Sequence, residues 1–370
     1  MRICVVANSS WYVYNFRRSL IEALRLNGHE AIALAPEDAY SQRLRDLGIA
    51  VHAIPLDRGG TQPLRELATI FEMRRILRQQ KIDVVLSYTP KGNLYAAFAL
   101  LGRRAHQVMN VSGLGRAFIQ TSWVTPIVRI MYRMTMERAS WVFFQNDDDR
   151  RLFLESGMVD VAKTERIPGS GVDLQRFRPM PPSTQAFGRP PSFLMIARLL
   201  WDKGVGEFVE AARALRQSGV AARFQLLGPM DEDNPSAVPR HQLDGWVRDG
   251  LIDYKGATDD VRTHVAEADC VVLPSYREGV PRSLLEAAAM GKPLIASDAV
   301  GCRDAVDDGS TGFLCDVRSA GSLAEKMREM LRLPAEQRDA MGLRGREKMA
   351  REFDEGIVLD RYFAVLHRLA

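Results

Sequence analysis

Short apolar runs alternate with longer amphipathic stretches along this chain of 370 residues. In the first half the apolar runs are ICVVAN, AIALAP, VHAIPL, DVVLSYT, HQVMNVS and WVFFQN. In the second half they are SFLMIAR, RFQLLGP, IDYKGAT, CVVLPSY, PLIASD and GFLCDV. Such runs, bounded by turn residues, suit parallel strands buried on both faces. Strands alternating with helical stretches predict an α/β protein with two doubly wound parallel sheets. The pattern breaks at 178–192, where RPMPPSTQAFGRPPS is rich in proline and polar residues and predicts a linker. The expected organisation is a first domain over 1–178, a linker over 179–191, a second domain over 192–350 and a terminal amphipathic helix over 351–370. Clefts between domains are favoured ligand sites, so the ligand is expected between the two.

Composition is that of an ordinary globular protein, with 46% hydrophobic and 26% charged residues. No apolar run approaches the roughly 20 residues of a spanning helix. The opening MRICVVANSS is a first strand, too short for a signal peptide. The four cysteines, Cys4, Cys270, Cys302 and Cys315, lack metal-ligand spacing and suit a reducing cytoplasm. Cys4 and Cys270 lie inside apolar strands and are expected in the core. The net charge of +4 hides an asymmetry: residues 1–180 carry 25 Lys and Arg against 17 Asp and Glu, and the remainder 25 against 29. A basic first half points to an anionic partner there: a membrane surface, an anionic lipid carrier or nucleic acid.

The chemistry concentrates in PSYREGVPRSLLEAAAMGKPLIAS, residues 274–297. CVVLPSY is a strand, Glu278-Gly279-Val280-Pro281 a turn, and Ser283 to Met290 a helix that Gly291 stops. The helix start presents free N–H groups and a positive dipole end, which suit a phosphate. Glu278 stands at that mouth and Glu286 more than two turns on, so the two carboxylates suit hydroxyls at opposite ends of one ligand. A sugar, a diphosphate and a ribose have that arrangement. Ligands in open parallel sheets bind at the carboxyl ends of strands. Arg198 and Lys203 lie at another such end, where a cation pair can cradle a diphosphate.

Glu278-Gly-Val-Pro-Arg-Ser-Leu-Leu-Glu286 resembles the E-x7-E signature of the family-4 retaining glycosyltransferases, which have the GT-B fold. Ile196-Ala-Arg198-Leu-Leu-Trp-Asp-Lys203-Gly204 resembles the arginine and lysine phosphate clamp of that family. Pro168-Gly-Ser-Gly-Val-Asp173-Leu-Gln-Arg-Phe177 resembles its interdomain segment, and Leu227-Gly228 and Tyr254-Lys-Gly256 match strand ends of its nucleotide pocket. The likeness spans nearly the whole chain, in order and spacing. It implies a donor site in which Glu278 holds the sugar hydroxyls and Glu286 the ribose. Arg198 and Lys203 would hold the diphosphate. Gly279, Val280, Pro281 and Arg282 would lie along sugar and phosphates, and Gly228 and Gly256 beside the base. Glu278, Arg198 and Lys203 are the catalytic candidates. In the family the last helix crosses back to the first domain.

The resemblance places the acceptor on the first half, where the candidates are Tyr14, Asn15, Arg17, Lys91 and Ser112. The loop Asn8–Arg17 carries serines and aromatics where many relatives have a glycine pair. Its aromatics suit either sugar stacking or ordinary helix-start packing. Lys91 in TPKGN suits either an acceptor phosphate or an exposed turn. Many relatives place a histidine where Ser112 stands, whereas His106 begins the strand and reads as structural. Gly113-Leu114-Gly115 lacks the rest of a dinucleotide fingerprint, which disfavours a nicotinamide dehydrogenase. Asp147, Asp148 and Asp149 read as helix-start acids rather than metal ligands. Residues 122–138 mix Trp123, Ile127, Ile130, Met131 and Met134 with Arg129, Arg133 and Arg138, which suits an anionic membrane interface or a core helix with a basic outer face.

The expectation is therefore a retaining hexosyl- or N-acetylhexosaminyltransferase. It would move a sugar from a nucleotide sugar, UDP-linked, to a hydroxyl of a polyprenyl-diphosphate-linked saccharide in surface glycan assembly. No metal or other cofactor is expected, because protein cations would neutralise the diphosphate. The expected location is cytoplasmic, peripheral on the inner face of the cytoplasmic membrane, with no nucleic-acid partner. A GT-B-like UDP-sugar epimerase would turn over donor alone, and a non-catalytic nucleotide-sugar binding protein would turn over nothing.

Overall fold

The computed structural model describes residues 1–57, 62–113, 125–181 and 189–370. It forms two units, Met1–Ser170 with Val358–Ala370, and Gly171–Ile357. The first unit holds strands β1 (Arg2–Val6), β2 (Glu30–Ala35), β3 (Ala50–Ala53), β4 (Val84–Tyr88), β5 (His106–Val111), β6 (Trp141–Phe144) and β7 (Thr164–Arg166). They run parallel in the order β3-β2-β1-β4-β5-β6-β7. Its helices are α1 (Ser10–Phe16), α2 (Arg18–Leu26), α3 (Ala39–Asp46), α4 (Pro63–Gln79), α5 (Pro90–Ala99), α6 (Thr125–Arg138) and α7 (Asp147–Glu155).

The second unit holds β8 (Ser192–Ile196), β9 (Arg223–Leu227), β10 (Asp253–Tyr254), β11 (Cys270–Leu273), β12 (Leu294–Ser297) and β13 (Gly312–Cys315). These strands too are parallel, in the order β10-β9-β8-β11-β12-β13. Its helices are α8 (Val205–Gln217), α9 (Arg240–Arg248), α10 (Arg262–Glu267), α11 (Arg282–Ala289), α12 (Ala320–Arg332) and α13 (Ala335–Lys348). The last helix, α14 (Glu355–Leu369), belongs to the first unit from Val358 onward. In each sheet the strand order reverses once, between β1 and β4 and between β8 and β11. Such reversals open the crevices in which α/β proteins bind ligands.

Strand alternation builds two apolar layers on the first sheet. Cys4 and Val6 of β1 join Met73, Leu77, Leu94 and Tyr132 under α4, α5 and α6. Ile3 and Val5 point the other way, to Leu20, Leu24 and the α14 residues Val358, Tyr362 and Val365. The second unit packs around Leu194, Val271, Leu285 and Ile295. All four cysteines are free and buried, and burial pushes the Cys315 thiol up to about 12.

Two expectations change. β7 has no counterpart among the sequence runs, because TER is a three-residue edge strand without an apolar stretch. The first unit's initial segment ends at Ser170 rather than 178, because Val172 and Phe177 are 0% and 2% exposed within the second core and Val172 pairs with Asp354. The linker centre, residues 182–188, lies outside the described residues. Asp147, Asp148 and Asp149 form the first turn of α7, and the cap is Asn146, which accepts from the Asp149 N–H at 2.8 Å. Among the described residues no helix is long and apolar enough to cross a membrane.

Tyr362 ties α14 to this unit. It is 1% exposed, its ring lies 4.9 Å from that of Phe143, and its hydroxyl accepts from Asn110 Nδ2 at 2.9 Å. Tyr362→Ala is expected to destabilise the unit by about 3–5 kcal/mol, read as a lower urea midpoint. A midpoint equal to wild type would show that α14 contributes nothing to that core.

Candidate active site

The candidate donor residues follow the carboxyl ends of β8, β9, β10 and β11. After β8 the chain passes Arg198 and a short 3-10 turn, Trp201–Lys203, before Gly204 leads into α8 with φ at 77°. Only glycine fits there: an added Cβ would land on the carbonyl oxygen of Pro274 at the end of β11. This backbone approach brings Lys203 beside Glu278. Lys203 Nζ lies 2.5 Å from Glu278 Oε1, with the two side chains 19% and 16% exposed. Ser275 Oγ donates to the same oxygen at 2.8 Å, and the Glu278 N–H donates to Val300 O at 3.0 Å. Gly301 supports the turn from behind, since a Cβ there would meet the backbone of Glu278 and Gly279. One carboxylate is thus fixed at the order reversal of the second sheet.

Pro281 caps α11, whose first turn carries no side-chain cap bond, and its carbonyl accepts from the Leu284 N–H at 3.1 Å. Val280 packs against the second core. Further along the helix Glu286 meets Arg282 Nε at 2.8 Å. Burial pushes the Glu286 carboxyl above its ordinary value, and the guanidinium of Arg282 pulls the other way. Arg176 and Asp260 also act on Glu286. Arg198 is half exposed and paired with Asp231 at 2.7 Å, and Asn234 holds the same Asp231 oxygen at 3.1 Å. Among the described residues these contacts place Lys203 with Glu278, Arg282 with Glu286, and Arg198 with Asp231. Sequence reading missed Ser275, Asp231, Arg176 and Asp260. Ser275 lies three residues before Glu278, and that turn-length spacing was its one available signal.

The two pocket glycines differ. Gly228, at φ 150°, is required by the sheet itself, because a Cβ would strike Ala197 O. Its N–H donates to Gly256 O at 2.8 Å, and Tyr254 donates to its carbonyl at 3.0 Å. Gly256, at φ 72°, has open space where its Cβ would be.

Of the first-unit candidates, Tyr14 and Asn15 lie on α1, Arg17 at its end, Lys91 in the first turn of α5 and Ser112 just past β5. Arg17 is 2% exposed, its guanidinium 4.0 Å from the Tyr88 ring centroid and bonded to the Tyr12 hydroxyl at 3.0 Å. It is therefore a core cation caged by tyrosines rather than a surface contact. Lys91 is held by Glu66 at 2.7 Å and by Asp57 O at 2.7 Å, so it is no simple exposed turn residue. Asn15 bonds back to Trp11 O at 3.0 Å, and Tyr14 lies half-buried between Tyr40 and Arg18. Ser112 is half-buried just past β5, and His106, at the start of β5, bonds Ser140 Oγ at 2.9 Å. Leu114, Gly115, Trp123 and the side chain of Ile127 lie outside the described residues.

A comparison of Gly204→Ala with Gly256→Ala separates the two glycine roles. Gly256→Ala carries only the left-handed backbone cost, about 1–2 kcal/mol. Gly204→Ala adds a clash worth about 1–3 kcal/mol more and displaces Lys203. Its melting temperature is therefore expected to be the lower of the two, and equal values would refute the close approach to Pro274.

Comparison with known proteins identifies the family and the fold. Residues 190–332 match the family described as glycosyl transferases group 1, and residues 15–170 the glycosyl transferase 4-like domain. The N,N'-diacetylbacillosaminyl-diphospho-undecaprenol alpha-1,3-N-acetylgalactosaminyltransferase of Campylobacter jejuni is 30% identical, over 100% of this chain and 99% of that protein. Sucrose-phosphate synthase from Thermosynechococcus elongatus superposes with a TM-score of 0.82 at 17% identity, over 100% of this chain and 99% of the other. Anabaena Alr3699/HepE, solved with UDP and glucose, gives 0.81 at 18% identity, with 100% of each chain covered. The two parallel-sheet units are those of the GT-B fold, and the chain belongs to the family-4 glycosyltransferases.

Proposed function

We propose that this glycosyltransferase moves a hexose or N-acetylhexosamine from a UDP-sugar to a hydroxyl of a polyprenyl-diphosphate-linked saccharide, with retention at the anomeric carbon. The observation that carries this reading is the Lys203–Glu278 pair across the order reversal of the second sheet. There a lysine, Arg198 and the positive dipole end of α11 offer charge to a diphosphate, and a fixed carboxylate offers acceptors to sugar hydroxyls. Glu286 is the ribose contact. The acceptor class follows that of the Campylobacter relative, named for its action on a diphospho-undecaprenol-linked sugar.

In the reaction the bond from the anomeric carbon to the diphosphate oxygen breaks and a bond to the acceptor oxygen forms on the same face. The acceptor proton passes to the departing diphosphate. Lys203 and Arg198 stabilise the negative charge that develops on that leaving group. Glu278 Oε1 meets a lysine and a serine rather than a second carboxylate, an arrangement that favours same-face transfer over double displacement. Protein cations neutralise the diphosphate, so activity is proposed to be independent of divalent metal. The acceptor's lipid tail puts the enzyme at the inner face of the cytoplasmic membrane. α6 suits that surface, with Ile130 and Met134 exposed among Arg129, Arg133 and Arg138.

Purified protein is expected to form product from one UDP-sugar and a polyprenyl-diphosphate saccharide, with EDTA present and with an α-linkage by NMR. Lys203→Ala should lower kcat by about 10²–10³-fold. Turnover of donor without acceptor, an inverted linkage or a strict need for a divalent ion would each overturn the corresponding part.

A raised carboxyl pKa means that Glu286 takes up its proton earlier as the pH falls, and a protonated carboxyl is a poorer ribose acceptor. UDP affinity by calorimetry is expected to weaken as the pH falls from neutrality, before the ordinary glutamate range is reached. Glu286→Gln should bind more weakly and without that slope. A flat wild-type profile would remove Glu286 from the ribose contact.

A further inference from the structure

The loop after β9 is stitched onto the segment that carries Arg198 and Lys203. The Leu199 N–H donates to Pro229 O at 3.0 Å, and the Val238 N–H to Leu199 O at 3.0 Å. Leu200 and Ala237 form an antiparallel bridge, and the Trp201 N–H donates to Ser236 O at 2.8 Å. Ser236 Oγ donates to Asp202 Oδ1 at 2.5 Å. Residues 229–238 therefore form a strap along the cation segment from Leu199 to Asp202, and the strap brings one acid to Arg198.

That acid is Asp231, and a turn fixes it. The Asn234 N–H donates to Asp231 O at 2.8 Å, and Asn234 Nδ2 to Asp231 Oδ2 at 3.1 Å. The same Oδ2 accepts from Arg198 Nη1 at 2.7 Å. Among the described residues Nη1 is the one nitrogen of that guanidinium with a partner. Asp231 thus holds Arg198 by one corner and leaves its other N–H groups to a diphosphate.

This pair differs from Lys203 and Glu278, which are enclosed. Arg198 and Asp231 are 52% and 34% exposed, and an exposed ion pair adds little to stability. A carboxylate beside a phosphate-binding cation also repels the phosphate. Neither folding nor donor affinity accounts for an acid at this place, but release of an anionic product does.

We propose that Asp231 is a positioning residue that holds Arg198 in place and weakens the site's grip on the product nucleoside diphosphate. Its charge offsets part of the guanidinium charge. The product ends in a free phosphate and bears roughly one more negative charge than the sugar-linked donor. Repulsion from Asp231 therefore falls harder on product than on donor, and the product leaves. The inference rests on the donor site proposed above and adds to it a residue that acts through Arg198.

The experiment is calorimetry of UDP with wild type, Asp231→Asn and Glu232→Gln, near neutral pH and at about 0.15 M salt. Asp231→Asn keeps an acceptor for Arg198 and removes the charge. It is expected to bind UDP about fivefold more tightly, and its UDP inhibition constant in turnover should fall by the same factor. Uridine, which has no diphosphate, should bind it as it binds wild type. Glu232→Gln removes an exposed acid one position on and should bind UDP as wild type does. Asp231→Ala supplies the same test if the asparagine variant fails to fold. Unchanged or weaker UDP binding by Asp231→Asn would overturn the inference and leave the donor site standing, because a residue that only orients Arg198 gives no gain when its charge is removed. An equal gain in Glu232→Gln would overturn it too, by assigning the effect to the loop's overall charge. A wild type that binds no UDP would remove the donor site, and this inference with it.

Discussion

The second unit is organised around the contact of Lys203 with Glu278. The two are 75 positions apart in the chain, yet they follow strands β8 and β11, which lie side by side at the reversal of strand order. Parallel pairing alone brings the strand ends together. The last few ångströms depend on Gly204, where a side chain would collide with Pro274 at the end of β11, and on Gly301, where one would collide with the backbone of Glu278 and Gly279. The pair also limits what the sequence can place around it. A carboxylate this enclosed needs a cation and a hydroxyl, and both are supplied, by Lys203 and Ser275. A diphosphate that takes up Lys203 leaves Glu278 needing new donors, and sugar hydroxyls are such donors. Donor binding on this account exchanges partners among groups already fixed in place.

The architecture was legible because its signal is repetitive. Among the described residues twelve of the thirteen strands correspond to apolar runs, and most of the twelve are buried on both faces, which requires apolar side chains throughout. β7 was invisible for the same reason, as three residues on a sheet edge bury little. The boundary near 170 was misplaced because proline-rich composition marks where a chain is extended, not which core it enters. Val172 and Phe177 lie upstream of the prolines but are buried with the second unit. A linker's composition and a domain's edge are different physical facts.

The candidate site was legible to the extent that residue type implies environment. Glycines at left-handed positions and two glutamates flanking a helix start are such cases. Partners were not legible. Arg17 was a plausible phosphate contact by type, and burial under Tyr88 makes it a structural cation. Lys91 was a plausible free cation, and Glu66, from a helix the sequence could not orient, engages it. Asp231 was one acid in an acidic loop until Arg198 met it. Each contact depends on which helix face turns inward, and that is decided by packing across the sheet rather than by local spacing.

α4 shows what remains when that packing is complete. The segment PLRELATIFEMRRILRQ carries too many apolar side chains for one helix face. Folding buries Met73, Ile76 and Leu77 and leaves Leu64, Leu67 and Phe71 in water, where burial of each would contribute roughly 1.5–3 kcal/mol. Among the described residues none of the three belongs to a core cluster. The exposed apolar area lies near Arg78, Lys81 and Arg104, which make no ion pair among the described residues.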